Sequence, residues 1–403
     1  MKKKIVCITA SFPYGNREVY FQNELSYLCA HFDEVYVIPL YNPYEDVITR
    51  EMDRNVRVLP VLLKSGLLRL LDGLLQFRWN NSYAREFFKF KVYKSRFKFK
   101  KWLNSQFIKN AFEAKINKIL KECDLSERDT ILYSYWAEAP FFLNTSISAF
   151  HKIVRMHGAD FYTYRNRGYL PVRDLIYNSC NKLVPISQDI ADNLRTEYSV
   201  PSDKIVVSYL GTSNYQSKCA LKEIGDSIRF CSCSHVYPLK RVHLILNVIR
   251  QLSERFTVFW DHYGDGESLD FVKSYVASSP SENIKIQFKG HVDPTSLKKH
   301  YEKNYYDWFI NVSEHEGLPV SIMEAFSFGI PTVATNVGGV SEIVTEKNGI
   351  LIPKDFDAET VGKQIEMEMG YSYVNKRINA FETWQKRFNS DHNYKQLIND
   401  IQV

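Results

Sequence analysis

Short apolar segments alternate with segments of helical periodicity through the second half of the sequence. Residues 228–234, 257–260 and 284–289 are apolar runs that predict buried strands, and helical spacing follows in residues 240–254 and 268–277. When strands and helices alternate in this way, the strands lie parallel and the helices cover the faces of the sheet. The pattern therefore predicts an α/β fold with a doubly wound parallel sheet.

The alternation continues through residues 311–344, NVSEHEGLPVSIMEAFSFGIPTVATNVGGVSEIV. Gly317 and Pro319 interrupt the apolar run of the preceding strand, and apolar residues recur at helical spacing from 320 to 328. Proline suits the first turn of a helix, because the N–H that it lacks would have no partner there. This stretch predicts a strand end, a tight loop, a short helix and a buried strand.

Two carboxylates, Glu316 and Glu324, bracket the loop and the start of this helix. The free N–H groups and the positive end of a helix suit an anion such as a diphosphate. An ionised carboxylate would repel phosphate, but it accepts hydrogen bonds from sugar hydroxyls. The residues therefore predict a nucleotide-sugar site, with the sugar near Glu316 and the ribose near Glu324. The alternative is an ordinary surface helix with solvated glutamates.

The segments EGLPVSIMEAFSFGIP (residues 316–331) and GGVSEI (338–343) resemble the E-x7-E region of retaining GT-B glycosyltransferases, the family often called group 1 or family 4. The chain is similar in particular to bacterial enzymes of surface polysaccharide assembly. The resemblance implies two Rossmann-like doubly wound domains that face each other across a cleft. It also implies transfer of a hexose-type sugar from a nucleotide-diphosphate sugar, by front-side attack with retention.

The length of 403 residues exceeds that of one typical core, so two domains are expected. The weakly periodic stretch 209–226 predicts the hinge between them. The predicted domains are residues 1–208, which would bind the acceptor, and residues 227–380, which would bind the nucleotide sugar. Residues 381–403 predict a final helix, and the resemblance implies that it crosses back to the first domain.

The loop SHVYPLKRV (residues 234–242) joins a strand to a helix beside the same predicted cleft. Lys240 offers a point charge to a diphosphate, and it matches the lysine of the family's phosphate-binding loop. The family often has arginine where this chain has His235, and a histidine is only partly charged at neutral pH. Arg241 is the candidate to compensate. The alternative for Lys240 is a solvated lysine at the start of a helix.

The remaining predicted donor contacts lie at loop ends. Gly264 and Gly266 would permit a tight turn near the nucleotide, and Gly290 and His291 would border the base. The third glycine of a dinucleotide fingerprint is absent, so a dehydrogenase is not expected. The predicted donor-binding residues are Glu324, Gly317, Leu318, Val320, Ser321, His235, Arg241, Gly264, Gly290 and His291.

Candidate residues in the first half follow two predicted strands. Ligands of open α/β sheets bind beyond the carboxyl ends of strands, so the loop of residues 11–18 is a candidate wall of the cleft. Gly15 and Glu18 are predicted on the acceptor side, together with Asp160. His157 begins the run HGAD, which resembles the family's HGxD segment and implies a place beside the donor sugar. The predicted catalytic residues are His157, Glu316 and Lys240.

No metal site and no cofactor are predicted, because neither an HExxH motif nor an Asp-x-Asp pair in a plausible loop occurs. The seven cysteines form no CxxC motif, which favours reduced thiols in a cytoplasmic protein. The first ten residues imitate a signal peptide without a cleavage pattern. The apolar runs are too short to predict a membrane span.

Residues 64–118 are basic, aromatic and poor in turn residues. A stripe of aromatic residues recurs there at helical spacing, namely Tyr83, Phe87, Phe90, Tyr93 and Phe97. One interpretation is a helix that lies on anionic lipid, and the other is a helix that packs its stripe into the N-terminal domain. Nucleic acid is not an expected partner, because no recognised binding motif accompanies the charge.

These features predict a cytoplasmic enzyme, peripheral at the inner face of the membrane, that acts in O-antigen, capsule or exopolysaccharide biosynthesis. Its predicted partners are a nucleotide-sugar donor, a glycan or lipid-linked acceptor, and an anionic membrane. Two alternatives stay open. A nucleotide-sugar epimerase or hydrolase can use the same two-domain plan, and a non-catalytic protein could bind the nucleotide sugar alone.

Overall fold

The computed structural model describes residues 3–15, 18–42, 48, 50–63, 81–214, 220–222, 225–370 and 372–402. The chain forms two compact units. The first comprises Met1–Ser208 together with Tyr394–Val403, and the second comprises Tyr209–Asn393. The apolar segment 67–75 and part of the predicted hinge (215–219, 223 and 224) lie outside the described residues.

The first unit is built on one parallel sheet. Its strands are β1 (Lys4–Thr9), β2 (Glu34–Pro39), β3 (Val56–Val58), β4 (Thr130–Ser134), β5 (His151–Met156) and β6 (Lys182–Pro185). Its helices are α1 (Val19–His31), α2 (Asn81–Lys89), α3 (Arg96–Glu122), α4 (Gly158–Phe161), α5 (Arg173–Ser179) and α6 (Gln188–Thr196). The spatial order β3-β2-β1-β4-β5-β6 winds outward twice from β1, as in a Rossmann fold.

The second unit repeats this plan. Its strands are β7 (Ser227–Cys233), β8 (Thr257–Tyr263), β9 (Ile284–Phe288), β10 (Trp308–Asn311), β11 (Thr332–Thr335) and β12 (Gly349–Ile352). Its helices are α7 (His243–Arg250), α8 (Leu269–Ala277), α9 (Pro294–Lys303), α10 (Val320–Ser327), α11 (Ala358–Glu368) and α12 (Ser372–Thr383). The order β12-β11-β10-β7-β8-β9 again winds outward from the first strand, so the predicted α/β class with doubly wound sheets is confirmed.

The apolar strand residues form a separate core in each unit. In the first unit, Ile5, Val35 and Ile131 are completely buried. A π-helical turn at Trp384–Phe388 precedes the last helix, α13 (Ser390–Ile401), whose Leu397 and Ile401 join that same core. The final residues of the chain are therefore part of the first unit.

The aromatic stripe predicted on one helix is interrupted, and in this detail the sequence-based prediction is wrong. Helix α2 ends at Lys89, Lys91 takes a left-handed conformation (φ 49°), and α3 starts afresh at Arg96. Ser95 caps α3 by accepting a hydrogen bond from the Lys98 N–H. Tyr83 is buried, and its hydroxyl shares a hydrogen bond with Ser105 Oγ. Part of the predicted stripe therefore packs as core.

Each sheet has one position where chain connections leave in opposite directions. In the first unit this switch point lies between β1 and β4, and in the second it lies between β7 and β10. Ligands of doubly wound sheets bind in the crevice that forms there, beyond the carboxyl ends of the strands. Functional side chains are therefore expected in the loops after these four strands.

Candidate functional site

The switch point of the second unit brings together two of the predicted catalytic residues. Lys240 follows β7 and Glu316 follows β10, and Lys240 Nζ lies 2.6 Å from Glu316 Oε1. Both side chains are largely buried. The pair places a cation that can bind phosphate next to a carboxylate that can accept hydrogen bonds from sugar hydroxyls, beyond the carboxyl ends of the strands.

Asn311, the last residue of β10, orients Glu316. Its Nδ2 donates to Glu316 Oε1 at 3.1 Å, while its Oδ1 accepts the Ser313 N–H at 3.0 Å. Thr335 Oγ1 fixes the same loop by donating to the Ser313 carbonyl at 2.6 Å. Sequence analysis missed Asn311, and the available signal was an amide side chain at the end of an otherwise apolar strand.

Arg241 has a structural environment that its prediction as a phosphate-binding cation did not anticipate. The residue is left-handed (φ 48°), and its Nε donates to the Val312 carbonyl at 2.8 Å. One terminal nitrogen donates to the Lys354 carbonyl at 2.8 Å. The guanidinium thus ties the loop after β7 to the loop after β10, and its contact with phosphate stays a prediction.

The N-terminus of α10 lies directly after the Glu316 loop. Among the described residues no side chain caps this helix, which begins after Pro319 at Val320. Its first N–H groups, including that of Ser321, therefore remain available to an anion. The following Gly338-Gly339 turn packs on the loop, since Gly339 N donates to the Gly317 carbonyl at 2.8 Å.

Close packing explains the glycines of that turn. Gly338 has φ +54°, and a Cβ at Gly338 would lie 2.1 Å from the Glu316 carbonyl oxygen. A Cβ at Gly339 would lie 2.7 Å from the Gly317 carbonyl and 3.1 Å from the Leu318 side chain. Only glycine allows the turn to approach and support the backbone that carries Glu316.

Glu324 is half-buried one turn into α10. Burial raises the pKa of Glu324 to about 7, and the positive charge of Lys298 partly opposes that rise. Lys298 donates to Ser213 Oγ at 2.7 Å, and burial lowers the pKa of its ammonium group. Glu324 can therefore change its charge near neutral pH, which matters for any ligand hydroxyl that it accepts.

The predicted glycines beyond β8 and β9 form a bridge. Gly264 N donates to the Gly290 carbonyl at 2.8 Å. A Cβ at Gly264 would lie 1.8 Å from the Ser234 carbonyl, and one at Gly266 would lie 2.4 Å from the Val236 carbonyl. These glycines therefore pack against the loop that contains the exposed His235. His291, next to Gly290, is exposed.

His157 lies at the end of β5 in the first unit, between two aromatic rings. Its ring centroid is 4.7 Å from that of Tyr135 and 4.8 Å from that of Trp136. The side chain is almost fully buried, yet neither ring nitrogen has a hydrogen-bond partner within the described part of the chain. A buried imidazole in this state offers hydrogen-bonding capacity to a ligand.

Asp160 and Glu18 hold the loops around His157. Asp160 accepts the His157 N–H at 2.7 Å and the Ala137 N–H at 2.6 Å. Glu18 accepts the N–H groups of the loop after β1 and also the Trp136 indole N–H at 2.6 Å. Gly15 offers its carbonyl to Arg50 at 3.3 Å. The predicted acceptor-side residues thus shape the switch point of the first unit, and their contact with an acceptor stays a prediction.

The described His, Cys, Asp and Glu side chains contain no group of three or more that could hold a metal ion. Helices within the described ranges are all too short or too polar to cross a membrane. The six cysteines that the structure describes are free thiols.

Comparison with known proteins gives a family match in the second unit. A family model for glycosyl transferases group 1 matches residues 217–369. The chain is 25% identical over 206 residues to the putative colanic acid biosynthesis glycosyltransferase WcaL of Escherichia coli (strain K12). This alignment covers 49% of this chain and 50% of the relative. It is 35% identical over 148 residues to the O-antigen biosynthesis glycosyltransferase WbnH of Escherichia coli, which covers 37% of each. The matches thus span about half or less of these relatives.

A solved structure matches over the whole chain. A TarM mutant from S. aureus, crystallised with fondaparinux, alpha-GlcNAc-glycerol and UDP, superposes with a TM-score of 0.67 at 13% identity, covering 100% of both chains. At this level of identity the likeness shows the fold alone. Together with the two doubly wound sheets, it confirms the predicted GT-B fold.

Proposed function

Because residues 217–369 match the family model for group 1 glycosyl transferases, we propose that the protein transfers a hexose-type sugar, with retention, from a nucleotide-diphosphate sugar to a glycan or lipid-linked oligosaccharide. Relatives named for colanic acid and O-antigen biosynthesis support a role in bacterial surface polysaccharide assembly. The UDP in the TarM structure supports a nucleotide donor.

The observation that carries this proposal is the contact between Lys240 and Glu316. It joins the loops after β7 and β10 at the switch point, immediately before the uncapped start of α10. In a chain with the group 1 domain, this geometry is suited to a diphosphate bound by Lys240 and α10. Glu316 would then accept hydrogen bonds from the sugar, and Glu324 from the ribose.

Leaving-group stabilisation would supply much of the catalysis. As the bond between the anomeric carbon and the diphosphate oxygen breaks, negative charge grows on the diphosphate. Lys240 and the N–H groups of α10 are oriented before the reaction, so they stabilise this charge without reorganisation. His235 and Arg241 lie in the same loop and would add to the positive potential.

The remaining step is attack by the acceptor hydroxyl on the same face of the sugar. Its oxygen forms the new bond to the anomeric carbon, and its proton passes to the departing phosphate oxygen. This route balances without a protein nucleophile and without a metal ion, and we propose both features for this enzyme. In the first unit, His157 stays the predicted catalytic residue, because its buried ring nitrogens lack hydrogen-bond partners among the described residues.

Donor screening tests the proposal directly. Thermal-shift measurements with UDP, GDP, ADP and CMP sugars should identify one nucleotide that raises the melting temperature, because a ligand that binds only the folded state stabilises it. The Lys240→Ala variant should lose most of that shift. Lys363→Ala is a matched control, since Lys363 is an exposed lysine on α11. Equal shifts for wild type and Lys240→Ala would contradict the proposed site.

Product analysis separates the proposal from the alternatives. Donor with a suitable acceptor should yield glycosylated product with retained configuration, and the rate should persist in the presence of a chelator. Rapid conversion of the donor without acceptor would indicate an epimerase or a hydrolase instead. Donor binding without turnover on any glycan or lipid-linked acceptor would indicate a binding protein.

A further inference from the structure

An exposed group of aromatic side chains lies at the junction between α2 and α3 in the first unit. We call it the aromatic patch, and it consists of Phe88, Tyr93 and Phe99, which are 67%, 55% and 42% exposed. Isolated apolar residues are common on protein surfaces, but a contiguous exposed group marks an interaction site. Whether these three rings form one surface depends on the contacts that connect them.

One half-buried ring, Phe87, contacts all three members of the patch. Its centroid lies 5.6 Å from Phe88, 5.9 Å from Tyr93 and 6.4 Å from Phe99. Phe87 in turn packs on Trp102 at 5.0 Å, and Trp102 is buried in α3. Through Phe87, the three exposed rings of the aromatic patch form one surface that packs on the buried Trp102.

The break between the two helices creates this surface. The left-handed Lys91 and the single turn Val92–Lys94 reverse the chain after α2, so residues from α2, the turn and α3 meet around Phe87. A continuous helix would have distributed the rings differently along its length. The aromatic residues that the fold exposes are therefore mostly not those of the predicted stripe.

The segment that contains the aromatic patch is also rich in exposed cations. The exposed cations from α2 to the first turns of α3 are Arg85, Lys89, Lys91, Lys94, Arg96 and Lys100. Lys89 pairs with Asp174 at 3.1 Å, whereas the ion pairs found within the described ranges involve none of the other five. Glu86 is the only acidic residue between 81 and 112, and it is turned toward the protein, where it accepts the Val172 N–H.

We propose that the aromatic patch and its cations dock onto the surface of an anionic phospholipid bilayer. Aromatic side chains favour the boundary between headgroups and acyl chains, and lysines near an anionic surface add attraction that falls with salt. Charge complementarity favours this occupant, because five of the six exposed cations have no ion-pair partner within the described ranges and the exposed Phe88 and Phe99 are apolar. Nucleic acid, to which aromatic rings and cations can also bind, is an outcome of the test below. The docking does not depend on the proposed transferase activity.

Flotation of the 403-residue chain with vesicles tests the docking. Wild type should float with phosphatidylglycerol-containing vesicles, stay at the bottom with pure phosphatidylcholine, and be released by high salt. The variant Lys91→Ala/Lys94→Ala should bind about thirtyfold more weakly, because each lysine near the surface contributes about 1 kcal/mol. The variant Phe88→Ser/Tyr93→Ser/Phe99→Ser should bind at least about tenfold more weakly.

Matched variants in the second unit control for a general loss of surface character. Phe271 is an exposed aromatic residue on α8, so Phe271→Ser should float like wild type, as should Lys363→Ala. Circular dichroism and nucleotide-induced thermal shifts should be unchanged in every variant, which distinguishes failed docking from a failed donor site. Wild type that stays at the bottom with anionic vesicles, or patch variants that float normally, would overturn the proposal. Binding to DNA without binding to vesicles would overturn it as well.

Discussion

Lys240 and Glu316 are 76 residues apart in the sequence, yet their side chains meet at 2.6 Å. The adjacency of β7 and β10 at the switch point explains the contact, because it places the two loops side by side. A diphosphate would compete with Glu316 for Lys240, and sugar hydroxyls would compete with Lys240 for Glu316. Donor binding should therefore exchange this ion pair for two separate sets of contacts.

Substituting each partner alone distinguishes their roles. Lys240→Ala should weaken UDP binding by roughly 10- to 100-fold, since a charge-assisted hydrogen bond is worth about 1.5–3 kcal/mol. Glu316→Gln frees the lysine, so UDP should bind as tightly as before or more tightly, while sugar transfer falls sharply. Calorimetry with UDP and a transfer assay measure the two effects. If Glu316→Gln weakens UDP binding as much as Lys240→Ala does, the proposal that Glu316 accepts hydrogen bonds from the sugar is wrong.

Asn311 should act as a positioning residue for Glu316. Asn311→Ala removes the hydrogen bonds to Glu316 and to the Ser313 N–H, so we expect kcat to fall about tenfold or more with UDP affinity nearly unchanged. Asn311→Asp replaces the amide donor with a carboxylate that cannot donate to Glu316, so kcat should fall at least as much. Steady-state kinetics measures both, and Asn375→Ala, at an exposed asparagine of α12, is the control. A fall in UDP affinity that matches the fall in kcat would indicate general loop damage instead.

The sheet of the second unit and the two glutamates were predictable because local patterns specify them. Apolar runs broken by glycine and proline produced β10, α10 and β11 within a few residues of the predicted bounds. The placement of Glu316 in the loop after β10 and of Glu324 within α10 follows from that pattern, whereas their shared role at one site stays a prediction. Here local propensity and tertiary packing favour the same structure.

The structural features that sequence analysis missed depend on contacts between distant segments. Arg241 was expected within a helix, but its guanidinium bonds to carbonyls of residues 312 and 354 stabilise a left-handed conformation. The end of α2 also escaped prediction, because neither glycine nor proline occurs between Phe90 and Ser95. Periodicity alone cannot reveal such breaks, since it describes one element without its neighbours.

Donor affinity should depend on pH through Glu324. Because burial raises the pKa of Glu324 to about 7, the carboxylate that we propose for the ribose hydroxyls is lost as pH falls below that value. UDP affinity of the wild type should therefore decrease up to roughly tenfold per pH unit below about pH 7. Calorimetry across this range checks the effect, and Glu324→Gln should give weak binding with a nearly flat profile. An equal pH dependence in both proteins would assign the titration to another group.

The raised pKa of Glu324 should also make the thermal stability of the protein depend on pH. A carboxyl whose folded pKa exceeds its unfolded value of 4.5 contributes stability at low pH, and this contribution is lost as pH rises toward 7. Glu324→Gln stays neutral, so it should melt at a higher temperature than the wild type above about pH 7 and at a similar temperature near about pH 4. The full shift corresponds to at most about 3 kcal/mol, and the partial exposure of Glu324 reduces this to about 1–2 kcal/mol, or a few degrees in Tm.

Glu18 should be required for the shape of the loop after β1. Its two oxygens accept three backbone N–H groups and the Trp136 indole N–H, so every partner is a donor. Glu18→Gln would turn an NH2 group toward N–H groups and should cost about 1–3 kcal/mol. Thermal unfolding measures this cost, and Glu282→Gln on the surface is the control. UDP affinity should not change, because the donor residues lie in the second unit; a large loss of UDP binding would contradict this separation.

Gly338 and Gly168 provide a matched pair for the packing behind Glu316. Both have positive φ, but a Cβ at Gly338 would lie 2.1 Å from the Glu316 carbonyl, whereas a Cβ at Gly168 meets no atom within 4 Å. Gly168→Ala should therefore cost only the backbone strain, about 1–2 kcal/mol. Gly338→Ala adds a steric clash and should cost more than about 3 kcal/mol, with loss of transfer activity because the Glu316 backbone is displaced. Thermal unfolding and activity assays compare the two, and equal effects would show that the close approach of this turn has no role.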